Sequence, residues 1–251
     1  MHHSLGPEVL FKFFGLPIFN TFLTTLLVDA VLIALVFVVY KNRKMIPGKL
    51  QSVFEMLIEY FYSITEQIAG SRVKYIFPWV ASFFIFILAS NLVGLLPGVG
   101  SVGINHHGDH GENHLITFLR PATSDFNMTF GLAVVSLVVT HVFAIRYLGG
   151  KGYFNHFFRT DPWYLILLFL FIGILEVISE IVKIFSLSFR LFGNIYAGEV
   201  VLSTISSIYA FLAPIPFLML ESIVAIVQAL VFSMLTMAFM TAMTESHSED
   251  H

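Results

Sequence analysis

Apolar residues are grouped along the chain into long, nearly unbroken runs. These runs cover residues 22–40, 77–96, 126–147, 163–184, 191–213 and 217–243. The hydrocarbon core of a bilayer is roughly 30 Å thick, and a helix needs about 20 residues to cross it, so each run is long enough or nearly so. Because lipid offers no hydrogen-bond partner to an unpaired backbone group, the runs are predicted to be helices.

Residues 48–70, between the first two runs, show a different pattern. Apolar positions recur there at helical spacing, and Glu55, Glu59 and Glu66 lie among them. The apolar positions are Val53, Phe54, Leu57, Ile58, Phe61, Ile64 and Ile68. This pattern predicts an amphipathic helix that lies on the membrane surface.

The segment from residue 163 to about 207 is too long for one upright helix. At 1.5 Å per residue it would extend roughly 65 Å, about twice the hydrocarbon thickness. Two arrangements remain open: a break at Gly193 or Gly198, or a steep tilt in the membrane. Pro214 and Pro216 mark the turn into the last run, so residues 163–243 are expected to form a long hairpin.

The composition places the chain in a membrane. Of its 251 residues, 57% are hydrophobic and 12% are charged, and the mean hydropathy is +0.85. Soluble domains have an apolar share of about 45–50%. The absence of cysteine excludes disulfides, thiolate catalysis and cysteine metal sites, and a net charge of -3 does not favour nucleic acid as a partner. We therefore expect one membrane domain, residues 1–251, and no cofactor.

The distribution of basic residues predicts the orientation of the chain. Nine of them fall in two connecting regions, which are expected to be cytoplasmic. They are Lys41, Arg43, Lys44, Lys49, Arg72, Lys74, Arg146, Lys151 and Arg159. The N-terminus, which lacks the pattern of a signal peptide, and the 97–125 loop with Arg120 would then face outward, and the C-terminus would be cytoplasmic. The loop contains NHHGDHGENH at 105–114, for which a solvated loop is favoured over a zinc or copper site.

Ionisable residues are concentrated in the apolar sequence near the end of the chain. A charge in a membrane helix costs about 2.5–3.5 kcal/mol on insertion scales, so such residues mark ion paths or paired interior sites. On a helical wheel, five polar residues share one face: Glu176, Lys183, Ser186, Arg190 and Asn194. Glu180 and Glu199 point away from that face, and Glu221 and Gln228 share a face of the last helix. Two aqueous compartments along one hairpin are consistent with this distribution.

Arginine and glutamate suit different tasks in such a site. Arginine keeps its proton at any accessible pH, so Arg190 can attract a carboxylate but cannot relay a proton. Glutamate can take up and release one. Mutual neutralisation inside a bundle is the structural alternative, and it becomes less favoured with six or more charges in one hairpin. For His141, an interior hydrogen-bonded histidine is favoured over a role in an ion path.

Four motifs resemble one family. Residues 186–199 read SLSFRLFGNIYAGE, residues 175–183 LEVISEIVK, residues 90–98 SNLVGLLPG and residues 121–129 PATSDFNMT. In this order they resemble subunit a of the F-type ATP synthases, and the first motif is long and specific. The resemblance covers most of the chain. It implies an all-α integral membrane protein with about five to six membrane helices, including a strongly tilted C-terminal hairpin, and one interfacial helix.

The resemblance also implies a mechanism. The chain would be a stator subunit with two offset proton half-channels against a rotating c-ring, and it would contact peripheral-stalk subunit b and other ATP synthase subunits. Arg190 takes the place of the essential arginine that faces the ring carboxylate and blocks a direct leak. The proton inlet would comprise Asp125, Asn194, Glu199, Glu221 and Gln228. The outlet would comprise Glu176, Glu180, Lys183 and Ser186.

Further expectations follow from the same resemblance. The transported ion would be a proton in preference to sodium, and the location a bacterial cytoplasmic membrane. The chain would not be an enzyme by itself, because the family carries nucleotide chemistry on separate soluble subunits, and no GxxxxGK[ST] loop is present. Many members have histidine at one of the positions of Glu199 and Glu221. With two glutamates here, the carboxylates are expected to share a proton near neutral pH.

Two other classes of function remain to be compared. A stand-alone secondary transporter could also use paired carboxylates, but such folds usually contain internal repeats, and this chain shows none. A purely structural anchor would have no use for Arg190 and the polar face around it. Purification in mild detergent separates these classes, because a stator brings other subunits with it.

Overall fold

A computed structural model describes residues 9–13, 16–45, 47–96, 99, 103–107, 113–117, 119–157, 166–208 and 212–244. The helices are α1 Asn20–Lys41, α2 Lys49–Ala69, α3 Val73–Gly94, α4 Phe126–Phe157, α5 Ile166–Ile208 and α6 Pro214–Ala242. The prediction of an all-α membrane protein is confirmed. The acidic C-terminus and the centre of the His-rich stretch lie outside the described residues.

Four helical segments of the described chain are long and apolar enough to cross a membrane. They are Asn20–Lys41, Gln51–Gly94, Phe126–Gly150 and Pro214–Ala242. In Asn20–Lys41, only 11% of the most apolar window is buried inside the protein. Since apolar side chains exposed on this scale are unfavourable in water, the surface of the bundle fits contact with lipid.

Helix α5 is a single helix of 43 residues, Ile166–Ile208. Helix α5 thus joins the apolar runs 163–184 and 191–213 in its described part, and it has the unbroken one of the two arrangements that the sequence left open. Neither Gly193 nor Gly198 breaks the helix, because a glycine costs only about 1 kcal/mol in a helix interior and no proline interrupts α5. At about 65 Å, α5 is twice as long as a bilayer core is thick, so the tilted arrangement is the one that fits.

Helix α4 changes direction at Gly149. This glycine has φ 74° and ψ 161°, a conformation that interrupts the helix and is unfavourable for residues with a side chain. The predicted run 126–147 thus corresponds to the straight part of α4. The segment after Gly149 turns back toward the bundle, where Tyr153 contacts Ala144 and Met243.

Helix α2 has the amphipathic character that its sequence predicts. Phe61 is buried and its ring lies 4.3 Å from that of Phe84 on α3, whereas the side chains of Glu55, Glu59 and Glu66 are exposed. The helix ends at Gly70, which has φ 54°. Its position on the membrane surface stays a prediction.

One apolar cluster joins α2, α3, α4, α5 and α6. Helix α5 contributes Leu187, Leu191 and Ile195, which recur every four residues and therefore lie on one face. Residues of α5 that point away from this cluster are exposed and mostly apolar, among them Phe185 and Phe189. Helix α5 is therefore anchored by one face, and its other face is available to lipid or to a partner.

Two short antiparallel hairpins were not anticipated. β1 Val9–Phe13 pairs with β2 Leu16–Phe19, and β3 Gly103–His107 pairs with β4 Asn113–Thr117. The second hairpin occupies the loop for which only irregular structure was expected. Its strands contain few of the alternating apolar residues that signal a strand, so backbone pairing is the main determinant. Among the described residues, no group of three or more His, Asp or Glu is arranged to hold a metal ion.

Candidate functional site

Arg190 lies between two groups of polar side chains along α5. Glu180 precedes it by ten residues and Glu199 follows it by nine, which places them about 15 Å and about 14 Å away along the helix axis. Arg190 itself is exposed and makes no ion pair or hydrogen bond through its side chain with the described part of the chain. The helix thus presents one unneutralised cation between two ionisable clusters.

The first cluster is built around an ion pair between Arg120 and Glu199. Nε of Arg120 lies 3.4 Å from Oε1 of Glu199, and Nη2 donates to Oε2 at 3.5 Å. Nε also donates to Oγ of Ser124 at 3.1 Å, and the backbone N–H of Arg120 donates to Oγ1 of Thr24 at 3.2 Å. Arg120 is only 6% exposed. We call Arg120, Ser124 and Glu199 the Arg120 cluster.

The segment before α4 is buried because it is packed among the helix ends. A Cβ on Gly94 would lie 2.7 Å from Cγ of Pro121, so the absence of a side chain there lets the segment approach α3. Oγ1 of Thr123 donates to Oδ1 of Asn91 at 2.7 Å, and Nδ2 of Asn91 donates to the carbonyl of Ala225 on α6 at 3.3 Å. These contacts fix the backbone that carries Arg120.

Asp125 occupies the N-cap position of α4. Its Oδ1 accepts the backbone N–H of Asn127 at 2.9 Å, and its Oδ2 accepts the hydroxyl of Thr21 at 3.1 Å. Both carboxylate oxygens are therefore bonded, as in a typical helix cap. These bonds give Asp125 a structural role, and its role in ion transfer stays a prediction.

Glu221 of α6 lies directly against α5. Its carboxylate occupies the space into which a Cβ on Gly198 would project. Glu221 therefore packs on α5 one residue before Glu199, the residue that pairs with Arg120. Asn194 and Gln228, which were predicted to belong to the same site, are half-buried on α5 and α6.

The second cluster surrounds Glu180, which is 6% exposed. Nζ of Lys183 donates to Oε1 of Glu180 at 2.5 Å, and Nε2 of His141 lies 3.7 Å from Oε2. Nδ1 of His141 lies 3.0 Å from the hydroxyl of Tyr153. We call His141, Tyr153, Glu180 and Lys183 the Glu180 cluster.

Two further outlet residues predicted from the sequence lie nearer the surface of α5. Glu176 is half-buried and Ser186 is exposed. Lys183 lies over the ring of Phe239, with Nζ 4.8 Å from the centroid, and this contact holds its stem against α6. The structure therefore brings Glu180 and Lys183 together, and places Glu176 and Ser186 along the same helix.

Comparison with known proteins identifies the family. The family profile described as ATP synthase A chain matches residues 22–241. ATP synthase subunit a of Moorella thermoacetica is 34% identical over 241 residues, which cover 96% of this chain and 98% of that protein. Subunit a of Syntrophobacter fumaroxidans is 33% identical over 97% of this chain and 92% of its own length, and subunit a of Legionella pneumophila strain Paris is 32% identical over 94% and 91%.

The chain belongs to the ATP synthase A-chain family. The resemblance predicted from the four motifs is thereby confirmed, and with it the assignment to the multi-pass membrane part of an ATP synthase. The match extends through α1 to α6, so it covers both clusters on α5 and the segment that carries Arg120. Neither a stand-alone transporter nor a purely structural anchor fits this membership.

Arg120 is the main site residue of this A-chain family member that sequence reasoning missed. It was placed in an outward-facing loop, where an arginine is ordinarily solvated. The available signal was its position directly before the PATSDFNMT motif, because a charged residue adjoining a motif of small and polar residues can be carried into the interior with it. His141 and Tyr153 were also absent from the predicted outlet.

Gly198→Ala is expected to disrupt the packing of Glu221 against α5, beside the Arg120 cluster. The added methyl group would collide with the carboxylate of Glu221, so Glu221 must move or the two helices must separate. ATP-driven acidification of inverted vesicles should fall at least severalfold. Gly193→Ala is the matched control, because it adds the same atom to the same helix where nothing lies within 4 Å.

A double variant tests whether the clash with Glu221 causes the loss in Gly198→Ala. Shortening the clashing side chain in Gly198→Ala/Glu221→Asp should restore space and recover part of the acidification. If Gly198→Ala pumps as well as the native protein, the close packing of Glu221 on Gly198 has no functional consequence.

Proposed function

We propose that this chain is the ion-conducting stator subunit of a rotary ATP synthase, and that Arg190 makes proton flow obligatory with rotation of a c-ring. The observation that carries the proposal is the exposed, unneutralised Arg190 on a continuous helix between two ionisable clusters. A buried or paired arginine would be explained by structure alone. An exposed arginine in a membrane helix, without a carboxylate partner in the described part of the chain, is best explained by a carboxylate from outside the chain.

The face of α5 around Arg190 suits contact with a ring of membrane helices. Phe185 and Phe189 lie on the exposed side of α5 and are exposed at 43% and 56%, while their rings also contact Phe130 and Phe126 of α4. A ring subunit that carries one carboxylate among apolar residues would bury these side chains and place its charge near the guanidinium. Because arginine does not release its proton, the carboxylate is held ionised as it passes, and protons cannot cross directly between the clusters.

The inlet route in this proposal leads through Glu221 to the ring. Glu199 is paired with Arg120, whereas Glu221 makes no ion pair with a cation in the described part of the chain. We therefore assign proton uptake and release to Glu221, and the shaping of the route to Glu199 and Arg120. Asn194 and Gln228 supply polar groups on the two facing helices, and Asp125 contributes at the outer end.

The outlet route leads from the ring past Ser186 and Lys183 to Glu180 and Glu176. Lys183 neutralises Glu180 inside the bundle, so a carboxylate can be present there at an acceptable cost in free energy. The two routes start on opposite sides of Arg190, and a proton must ride the ring to pass from one to the other. One elementary charge crossing 100 mV releases about 2.3 kcal/mol, so several protons are needed for each ATP.

The proposed subunit has several partners in the membrane. The chain would contact the c-ring through α5, and peripheral-stalk subunit b and other synthase subunits elsewhere. It would lie in a bacterial cytoplasmic membrane with the N-terminus outside and the C-terminus in the cytoplasm, as the basic residues predict.

Glu221→Gln tests the proposed inlet. Glutamine keeps the size and the hydrogen bonds of the side chain but cannot carry a proton, so ATP-driven acidification of inverted vesicles should fall about 100-fold or more, the usual scale for loss of a proton-transfer group. ATP hydrolysis by the assembled complex should fall with it and should not be restored by uncoupler, because rotation is obligatory with proton flow. Glu66→Gln, an exposed glutamate on α2, is the matched control. Native acidification in Glu221→Gln would contradict the proposal.

A further inference from the structure

The bend at Gly149 creates a contact that a straight helix would forbid. His141 and Tyr153 are twelve residues apart, which corresponds to about 18 Å along an uninterrupted helix. Instead, the hydroxyl of Tyr153 lies 3.0 Å from Nδ1 of His141, and the two rings meet edge to face with centroids 5.9 Å apart. The positive φ of Gly149 is what turns the segment back.

The second ring nitrogen of His141 faces Glu180 on α5. Nε2 lies 3.7 Å from Oε2 of Glu180, a distance that a small side-chain movement would close to a hydrogen bond. Oε2 is buried and has no hydrogen-bond partner within the described residues, whereas Oε1 is held by Lys183. A buried carboxylate oxygen without a partner is costly, and here it is aimed at an imidazole nitrogen.

Three groups that can exchange protons are thus arranged in series. They lead from Glu180 through His141 to Tyr153, which lies beyond the apolar span of α4 that ends at Gly150. An imidazole can accept a proton at one nitrogen and release one at the other. A tyrosine hydroxyl can likewise accept and donate.

We propose that His141 is a proton-relay residue of the outlet and that Tyr153 connects it to the aqueous side, so that Glu180, His141 and Tyr153 form the last part of the outlet route. This inference rests on the proposed function, because it extends the outlet route described above. During transfer toward the cytoplasm the proton of Glu180 moves to Nε2, and the resulting imidazolium gives its Nδ1 proton to the hydroxyl of Tyr153. That hydroxyl passes its own proton to water. One proton enters the ring of His141 and one leaves, so the ring returns to neutrality.

The charges around His141 fit a transient imidazolium. Glu180 and Lys183 face it from α5, and Tyr153 faces it from the segment after Gly149. When Glu180 gives up its proton, its carboxylate balances the imidazolium at 3.7 Å, while Lys183 keeps that carboxylate in place. Arg72, a further cation at this end of the bundle, is held by Thr244 and lies over the ring of Tyr147 instead, and Arg146 on α4 is exposed.

His141→Gln in the complete synthase complex separates a relay from a structural role. Glutamine can still accept a hydrogen bond from Tyr153 and donate one to Glu180, but it cannot carry a proton. In inverted vesicles the cytoplasmic side of the membrane faces the outer solution. The initial rate of ATP-driven acidification should fall there about tenfold or more. The pH dependence of that rate in the imidazole range, about pH 5–8, should also disappear. A native rate and pH profile would overturn the proposal.

Tyr153→Phe provides a second variant that removes a single oxygen atom. Its acidification rate should fall severalfold, and a native rate would overturn the step through Tyr153 even where His141→Gln fails to assemble. Tyr147→Phe is the matched control, because it removes a hydroxyl from the exposed Tyr147 on the same helix and keeps the ring that contacts Arg72.

Arg190→Ala measured in parallel distinguishes failure of the relay from failure of the proposed function. If Arg190→Ala stops acidification but His141→Gln and Tyr153→Phe do not affect it, the stator proposal stands and the relay is wrong. If Arg190→Ala pumps normally, the proposed function itself fails, and the relay proposal fails with it.

Discussion

Replacing Arg190 with alanine is expected to abolish ATP-driven proton pumping while the complex remains assembled. The side chain is exposed and makes no bond with the described part of the chain, so its loss leaves no buried partner unpaired. Leu187, Leu191 and Ile195, which anchor α5, lie on another face of the helix. The variant should therefore be folded, and its defect should be in coupling.

The measurement is ATP-driven acidification of inverted vesicles at equal content of assembled complex. Arg190→Ala should give no signal above background, and the vesicles should lose an imposed proton gradient faster, because nothing separates the two routes. Arg190→Lys retains a cation but lacks the planar guanidinium and is expected to pump poorly. Arg146→Ala, which removes an exposed arginine from α4, is the matched control and should pump normally. Undiminished coupled pumping in Arg190→Ala would remove Arg190 from its proposed role.

Arg120→Ala is expected to have the other large effect, and through a different cause. It would leave Glu199 without its cation and Ser124 without its donor in the interior of the bundle. Breaking a buried ion pair by removing one partner costs about 3–5 kcal/mol. Because the side chain of Glu199 keeps 22% of its exposure, we expect a cost near the lower end of that range.

A melting experiment on the detergent-solubilised complex measures this cost. Arg120→Ala should lower the melting temperature. Arg43→Ala is the matched control and should leave the melting temperature unchanged, because Arg43 is exposed and lies over the Tyr40 ring. The double variant Arg120→Met/Glu199→Met should recover much of the stability, since apolar residues often replace a buried ion pair without loss. Acidification should stay impaired in the double variant if the pair shapes the inlet. Recovery of both stability and pumping would reduce the pair to a structural role.

The helices could be predicted from the sequence because their cause is local. A run of about 20 apolar residues is stable in lipid as a helix. The predicted runs therefore agree within a few residues with α1, α3, α4 and α6; they are 22–40, 77–96, 126–147 and 217–243. The part of α4 beyond residue 147 is the exception. The amphipathic pattern of α2 is likewise a property of its own residues. The sequence left open whether α5 breaks at Gly193 or Gly198, because glycine permits a helix as well as a break and neighbouring helices decide which occurs.

The sequence by itself determined the membrane class, the helices, the family and the polar face of α5 around Arg190, because each depends on residue types at fixed spacing. Only the tertiary structure decided which charges meet. Arg120 and Glu199 are 79 residues apart, and the contact of His141 with Tyr153 depends on a turn at Gly149. Such contacts arise from the packing of separate helices and loops, which spacing along the chain does not record.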